Sequence, residues 1–420
     1  MREKQKALLV GVNIKHQADF SYSMKELENL AAACHIEAVA EVTQNLSRIN
    51  KTHYIGTGKI EETLQLLEQT NAELVIFNDE LSATQIRNLE EELGSKVIDR
   101  TMLILDIFAS RAKTRESQLQ VEVAHLKYML PRIVGQRESL GHQGGGVGLK
   151  NRGAGETKLE LDRRKIEEKI TALNKELEVL VSQRETQRNQ RKKSGVPLVS
   201  LVGYTNAGKS TIMNAMLRRS HQSFNKQVFE KDMLFATLDT SVRKIKLSNH
   251  QPFLLSDTVG FVDKLPHHLV KAFRSTLEEA TTADLLIHVV DFSSPHYQKL
   301  INVTNQTLKE IGIDNVPIIY AYNKADLVDM EIPTLKDGSL YLSAKQEVGM
   351  NELASMISER IFKDQIHCDM LIPFELGRLV SYLNENANVL STSYDDHGTK
   401  LTVECNLNDF EKYQQYVIGS

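Results

Sequence analysis

A chain of 420 residues is too long for one ordinary domain and fits two to four. With 41% apolar and 25% charged residues it is neither a low-complexity nor a disordered sequence, and no stretch approaches the ~18 uncharged apolar residues of a membrane span. A formal net charge of −4 with only three cysteines, Cys34, Cys368 and Cys405, far apart in sequence, excludes a disulfide scaffold and suits a reducing compartment, with the cysteines expected as small core residues.

The first residues are basic (Arg2, Lys4, Lys6), but the apolar run behind them, Ala7 to Val12, is shorter than the core of a secretory signal and reads as a first β-strand. A cytoplasmic, monomeric protein is expected. Residues 1–110 alternate strand and helix patterns. Ala7–Ile14, Glu37–Val42 and Glu73–Phe77 read as strands; Met24–Cys34, Ile60–Glu68 and Ala83–Leu93 read as helices. That alternation predicts a small parallel sheet covered by helices, an α/β domain. Gly56-Thr57-Gly58-Lys59 precedes one of the helices and lacks a full glycine pattern, so it reads as a plain helix-entry turn rather than a second nucleotide site.

Residues 111–195 change texture. Leu119, Val123, Leu126 and Leu130 recur at 4-3-4 spacing, and Leu159, Ile166, Ile170, Leu173, Leu177 and Leu180 keep a seven-residue register broken only at Arg163. Such spacing favours helices that wrap around each other, here a long antiparallel helical hairpin; an amphipathic pair packed on a neighbouring domain is the alternative. Between the helices, within residues 135–157, lies a glycine-rich basic loop. From Gly141 to Gly155, 7 of 15 residues are glycine, and Arg137, Lys150, Arg152 and Lys158 punctuate or flank it. Arg100 to Lys165 carries 13 Lys and Arg against 7 Asp and Glu, a local +6 inside an acidic protein. Basic side chains on an adaptable backbone suit a phosphodiester surface, so RNA contact is expected at Arg137, Lys150, Arg152 and Lys158; a flexible linker is the alternative. A charged, helix-poor patch, Arg191-Lys192-Lys193-Ser194-Gly195, should close the hairpin.

Residues 196–364 hold five blocks that together describe a pocket for guanine nucleotide and magnesium. Leu198–Val202 reads as a buried strand. Gly203-Tyr204-Thr205-Asn206-Ala207-Gly208-Lys209-Ser210, extended by Thr211, follows it directly and opens a helix, the context a phosphate loop requires. Lys209 should reach the β- and γ-phosphates and Ser210 should bind Mg²⁺. Thr237 is the candidate second hydroxyl ligand for Mg²⁺, with Thr240 and Ser241 close by. Asp257-Thr258-Val259-Gly260 supplies a carboxylate for the metal and a backbone N–H for the γ-phosphate. Lys209, Thr237 and Gly260 are therefore the catalytic candidates. Asn323-Lys324-Ala325-Asp326 and Ser343-Ala344-Lys345 select the base, because guanine presents two donors that the Asp326 carboxylate can accept together and adenine does not. Phe261 follows Gly260, where many GTPases carry a glutamine that orients water, so unaided hydrolysis should be slow. Residues 365–420 read as strand–helix–strand–strand–helix: Met370–Ile372, Phe374–Leu383, Val389–Ser393, Lys400–Cys405 and Asp409–Val417. They form a small α+β domain with no legible motif.

Several blocks together resemble the HflX family of ribosome-associated GTPases over nearly the whole chain. They are Ile55–Lys59, Leu105–Ala109, Gln120–Glu122, Gly153–Glu160, Gly203–Thr211, Phe235–Asp239, Asp257–Phe261 and Ala272–Glu279. The resemblance implies a GTPase that binds the 50S subunit and the 70S ribosome and splits or remodels stalled or idle ribosomes under stress. It also implies that the N-terminal domain and hairpin loop contact ribosomal RNA. Phe261 agrees with the family, and Asn206 matches a phosphate-loop asparagine that in related GTPases can ligate K⁺. Thr240 departs from it, standing where proline is frequent. A large-subunit assembly GTPase and a nucleotide switch for a protein partner remain the alternatives.

Overall fold

The computed structural model describes residues 4–15, 19–142, 152–193, 195–220, 234–235, 238, 240–246, 252–266, 269, 279–363, 366–405 and 407–419. The chain forms two compact units, 1–181 with 232–238 and 263–273, and 182–231 with 239–262 and 274–420. It is a multidomain α/β protein: a parallel-sheet N-terminal domain, a phosphate-loop nucleotide domain and an antiparallel-sheet C-terminal region.

In the first unit, strands β1 (Gln5–Ile14), β2 (Ile36–Leu46), β3 (Leu74–Phe77) and β4 (Lys96–Asp99) make a four-stranded parallel sheet in the order β2-β1-β3-β4. β1 and β3 are buried runs, as inner strands of a helix-covered parallel sheet must be. Helices α1 (Phe20–Ala33), α2 (Thr57–Thr70), α3 (Ala83–Leu93) and α4 (Arg100–Arg111) connect and follow them. α3 starts at a reciprocal cap, Ser82 with Gln85, and stops at left-handed Gly94, which is why its ends were legible in the sequence. β4 and α4 were not anticipated. β4 has only four residues, and α4 buries Leu103, Ile104, Leu105, Ile107 and Phe108 around most of its circumference, which erases helical periodicity. The Gly56–Lys59 turn opens α2, with the Gly56 N–H donating to Gln44 Oε1 (2.9 Å) and Lys59 paired with Glu62.

Helices α5 (Arg115–His142) and α6 (Arg152–Lys193) form the hairpin. Arg115 pairs with Glu176 (2.7 Å) and Glu122 with Lys169 (2.7 Å), so one index falls as the other rises and the helices run antiparallel. Leu119, Val123 and Leu173 form the seam, with Leu126, Ile170, Leu177 and Leu180 packed on it. Both sequence alternatives hold at once, because α5 also buries Val121, Ala124 and Tyr128 while packing on α3 and α4. The patch expected to be helix-poor is helical through Lys193, since its Gln, Arg and Lys residues are good helix formers. The loop residues 143–151, Lys150 among them, lie outside the described residues.

The second unit contains a seven-stranded sheet in the order β10-β11-β9-β8-β5-β7-β6. Its strands are β5 (Leu198–Gly203), β6 (Ser241–Ile245), β7 (Phe253–Asp257), β8 (Leu285–Asp291), β9 (Ile318–Asn323), β10 (Thr334–Lys336) and β11 (Ser339–Tyr341). The five from β11 to β7 are parallel, and β10 and β6 close the edges antiparallel. Helices α7 (Lys209–Arg219), α8 (Tyr297–Glu310) and α9 (Met350–Ile361) flank it.

The C-terminal sheet, β12 (Ile366–Ile372), β13 (Asn388–Asp395), β14 (Gly398–Cys405) and β15 (Val417–Gly419), is antiparallel in the order β13-β14-β12-β15. Helices α10 (Gly377–Asn386) and α11 (Leu407–Tyr413) cover one face, where Leu379 and Leu383 meet Met370, Leu401 and Val403. β15 is a three-residue strand the sequence did not reveal. Cys368 and Cys405 are buried in this core, while Cys34 is half-buried. Among the described residues no helix is long and apolar enough to cross a membrane.

One buried ion cluster ties the hairpin to the first sheet. The Asp99 carboxylate accepts from the Leu81 and Met102 N–H groups (2.9 Å each) and from Arg132 (3.4 Å). The Arg132 guanidinium also donates to the Leu81 carbonyl and lies over the Tyr128 ring, 3.3 Å from its centroid. Arg132→Met should cost about 3 kcal/mol by leaving a buried carboxylate short of its cation. Peptide-resolved hydrogen exchange across residues 81–132 checks this, and an unchanged exchange pattern contradicts it.

Candidate functional site

β5 delivers the chain to a tight loop that α7 ends. Asn206 and Gly208 are left-handed (φ 61° and 96°), which curls the backbone, and the Ala207 N–H closes the turn on the Tyr204 carbonyl (3.3 Å). A Cβ at Gly208 would lie 2.1 Å from Asn323 Nδ2, so only glycine lets the base-selecting block approach. Tyr204, Thr205 and Ala207 are buried in the loop, and Thr211 is half-buried in the first turn of α7.

Lys209 opens α7 with its ammonium inside the loop, donating to the carbonyls of Gly203 (3.1 Å) and Tyr204 (2.9 Å). Burial pulls its pKa down to about 8, opposed by the charge of Asp257. A cation so poorly solvated is a ready donor to anionic oxygen. Ser210 Oγ donates to Asp257 Oδ2 (2.7 Å), which brings two hard oxygens together at the end of β7. Thr258 is turned inward onto the Leu201 carbonyl (2.6 Å). Among the described residues no group of three or more His, Cys, Asp or Glu could hold a metal. One hydroxyl and one carboxylate fit a magnesium ion that takes its remaining ligands from phosphate and water.

Gly260 packs against both partners of this loop. A Cβ there would stand 2.6 Å from Thr205 Cα and 2.9 Å from Lys209 Nζ. Beyond it Phe261 is buried and zipped to the loop, its N–H on the Gly203 carbonyl (3.2 Å) and its carbonyl accepting from Thr205 N–H (2.7 Å). Its ring packs in the interior and offers no group to orient water.

The base-selecting blocks meet the phosphate loop through Asn323. Its Nδ2 donates to the Ala207 carbonyl (2.9 Å) and its Oδ1 accepts from Ala344 N–H (2.9 Å), so one amide joins three sequence blocks. Lys324 pairs with Asp291 (2.8 Å). The Asp326 carboxylate accepts from Gln346 Nε2 (3.3 Å), and buried Ser343 caps the Gln346 N–H (3.3 Å). Lys345 is exposed. Asp291 and Gln346 were not singled out in the sequence; nothing but tertiary proximity marks them. His288 on β8 is a further buried group there. Burial and then the Lys209 charge lower its pKa to about 4, so it is neutral.

Thr237 lies outside the described residues. Of its two neighbours, Thr240 accepts from Arg184 of α6 (2.8 Å) and Ser241 starts β6 with its hydroxyl buried. In the same unit Arg188 of α6 pairs with buried Glu279 (3.2 Å). Arg137 sits in α5, and Arg152 and Lys158 in α6, but their side chains lie outside what is described.

Residues 21–109 match the family model described as GTP-binding GTPase N-terminal, and residues 111–191 match GTP-binding GTPase Middle Region. Residues 198–324 match the model described as 50S ribosome-binding GTPase. The chain is 44% identical to GTPase HflX of Caldanaerobacter subterraneus over 100% of its own length and 95% of that protein's. It is 38% identical to GTPase HflX of Escherichia coli, covering 90% and 88% of the two chains. A solved GTP-binding protein of Sulfolobus solfataricus in complex with GDP is 23% identical, with a TM-score of 0.44, over 86% of this chain and 99% of that one. With this identity held from end to end and the phosphate loop assembled as described, the chain belongs to the HflX family of GTPases and is a GTP hydrolase.

Proposed function

We propose that this GTPase engages the ribosome through its large subunit and uses GTP binding and hydrolysis to remodel or split stalled or idle ribosomes under stress. The observation that carries the proposal is the antiparallel α5–α6 arm, whose far ends, His142 and Arg152, lead into the basic, glycine-rich stretch. An arm of 28 and 42 helical residues is about 40 to 60 Å long. It suits a protein that must place a cationic tip away from its nucleotide pocket. The description of the domain family at residues 198–324 as ribosome-binding points to the same partner, and a cytoplasmic location follows from it.

In the pocket, the loop N–H groups of residues 203–208 and the start of α7 would cradle the phosphates, with Thr211 beside them. Lys209 would exchange its two carbonyl acceptors for β- and γ-phosphate oxygens. Ser210, Asp257 and Thr237 would hold magnesium, which would supply positive charge against the phosphates. Asn206 would add a ligand for K⁺. Gly260 would offer its N–H to the third phosphate. Asp326 would accept from guanine, the Lys324 stem would cover the ring, and Ser343, Ala344 and Lys345 would close the base side. The attacking water must be oriented by a group other than Phe261, and we assign that task to the ribosome-bound state.

Asp326→Asn should weaken GTP binding by about a hundredfold, because one charged acceptor for two donors is lost. It should improve XTP binding in parallel, as competition against a fluorescent nucleotide would register; equal losses for both nucleotides contradict base reading by Asp326. Bound phosphate raises the Lys209 pKa above its free-protein value of about 8. Binding therefore takes up a proton as pH rises through that value, and affinity falls. GDP affinity should drop about fourfold between roughly pH 7 and 8.5, with proton uptake visible by calorimetry in buffers of different ionisation enthalpy. A flat profile means that Lys209 is already fully charged.

The function itself is tested by GTP turnover with purified 50S and 70S particles at fixed salt, followed by a subunit-splitting assay. Strong stimulation is expected, whereas stimulation only by immature large subunits favours an assembly role. Lys150, Arg152 and Lys158 together changed to alanine should weaken ribosome binding and flatten its log–log salt dependence by about two to three. GTP affinity should not change; a variant that binds ribosomes normally sinks the RNA assignment.

A further inference from the structure

The turn on the base side of the pocket is held at three points, all within the nucleotide domain. Ser343 and Val348 exchange two main-chain bonds (3.1 and 3.0 Å). Between them Ala344-Lys345-Gln346-Glu347 closes on itself, the Glu347 N–H donating to the Ala344 carbonyl (3.3 Å). At the front of the turn Ala344 is fixed by Asn323, and Gln346 reaches Asp326. The third point is at the back. Glu347 Oε1 accepts from Arg218 Nε (2.6 Å), and its Oε2 lies 4.0 Å from Arg219 Nη1. Arg219 in turn donates through Nε (3.1 Å) and Nη2 (2.6 Å) to Asn351 Oδ1, in the first turn of α9.

Glu347 stands in the left-handed region (φ 58°), where glycine fits freely and a residue with a side chain is held at a cost. A glutamate at this place gives the turn a carboxylate by which it can be braced. The brace is anchored firmly, because Arg218 and Arg219 end α7, whose Ile212, Met213, Ala215 and Met216 lie in the core of the domain. Two cations also suit a helix C-terminus. α7 is the helix that Lys209 opens. It therefore carries the phosphate site at its first residue and the brace for the base turn at its last two. Arg218 and Glu347 are 33% and 35% exposed, so their pair adds little to the stability of the fold. α7 is already packed and the turn already closed by main chain. What the pair governs is where the turn stands.

Resting on the nucleotide reading above, we propose that Arg218, with Arg219 beside it, is a positioning residue for the base turn and sets how long a guanine nucleotide stays bound. The turn that presents Ser343, Ala344 and Lys345 must draw back for the base to leave, and the Arg218–Glu347 pair must stretch or break as it does. GDP and GTP carry the same base, so the pair slows the departure of both. The phosphate contacts are made at the other end of α7 and do not depend on it.

The experiment follows dissociation of ribose-labelled GDP and of a ribose-labelled, non-hydrolysable GTP analogue from the full chain by stopped flow. Competition by inorganic pyrophosphate is measured beside it and reads the phosphate end alone. Arg218→Met and Glu347→Gln should each speed the departure of both nucleotides about threefold, and the double variant should do no more than either. Arg218→Lys keeps the charge and should cost less than about twofold. Association rates and pyrophosphate affinity should stay at their wild-type values, which a merely structural contact would not predict. Added salt should erase the difference between wild type and Arg218→Met, because a half-exposed pair is screened. The proposal is overturned if the dissociation rates do not move, if the two single effects add in the double variant, or if only the GTP analogue leaves faster. It is equally overturned if pyrophosphate weakens in step with the nucleotides, the signature of general damage. A wild type that binds pyrophosphate but neither nucleotide would instead refute the base reading, and one that binds none of the three would refute the pocket itself.

Discussion

The Lys209 ammonium organises the second unit. A primary ammonium surrendered by water must find acceptors, and the loop supplies only two main-chain carbonyls, those of Gly203 and Tyr204. Burial leaves it with a pKa near 8, a cation held at a deficit. The start of α7 adds the positive end of a helix dipole beside it. Phosphate resolves both at once. Everything nearby follows from keeping this arrangement dry and open: glycine at 208 and 260 where a Cβ would collide, Ala207 buried without bulk, and Phe261 sealing one wall.

Asn323 carries that organisation across the sheet. β9 ends beside β8 and next but one to β5, so its last residue, Asn323, can reach the phosphate loop. The Asn323 amide spends both ends on main chain, one on Ala207 and one on Ala344. It therefore acts as a spacer between the phosphate end and the base end. In the proposed function the contact with guanine falls to Asp326, whose carboxylate accepts a long hydrogen bond from Gln346 that a bound base can displace.

The pocket was legible in the sequence because its chemistry tolerates few substitutes. A loop that bends around phosphate needs glycine at set spacing, and an acceptor for two donors needs a carboxylate. The parallel N-terminal sheet was legible from alternating strand and helix periods. What escaped notice had no period to read. β4 and β15 are too short, and α4 is buried on too many sides. α5 serves two partners, so its heptad pattern reported the seam with α6 and missed the face on α3 and α4. Asp291, Gln346, Arg100 and Glu26 gain meaning only from residues distant in sequence, and a charged side chain in a helix reads as solvent-facing until its partner is known. Buried Glu26 and Arg100 are the clearest case, since each alone is an ordinary helix residue.

Phe261 links the pocket to the proposed partner. A polar residue in that place would face the attacking water, but it would also compete with the two main-chain bonds that join this residue to Gly203 and Thr205. The buried ring instead gives its position to packing, which fixes Gly260 and leaves the water unattended. In the proposed function, binding and turnover would thereby be separated within one chain: the first built in, the second awaiting a group from the ribosome. For a factor whose GTP form must persist until it reaches a large assembly, that separation is the useful property. A surface that completes the site only on docking would make hydrolysis report that docking has occurred.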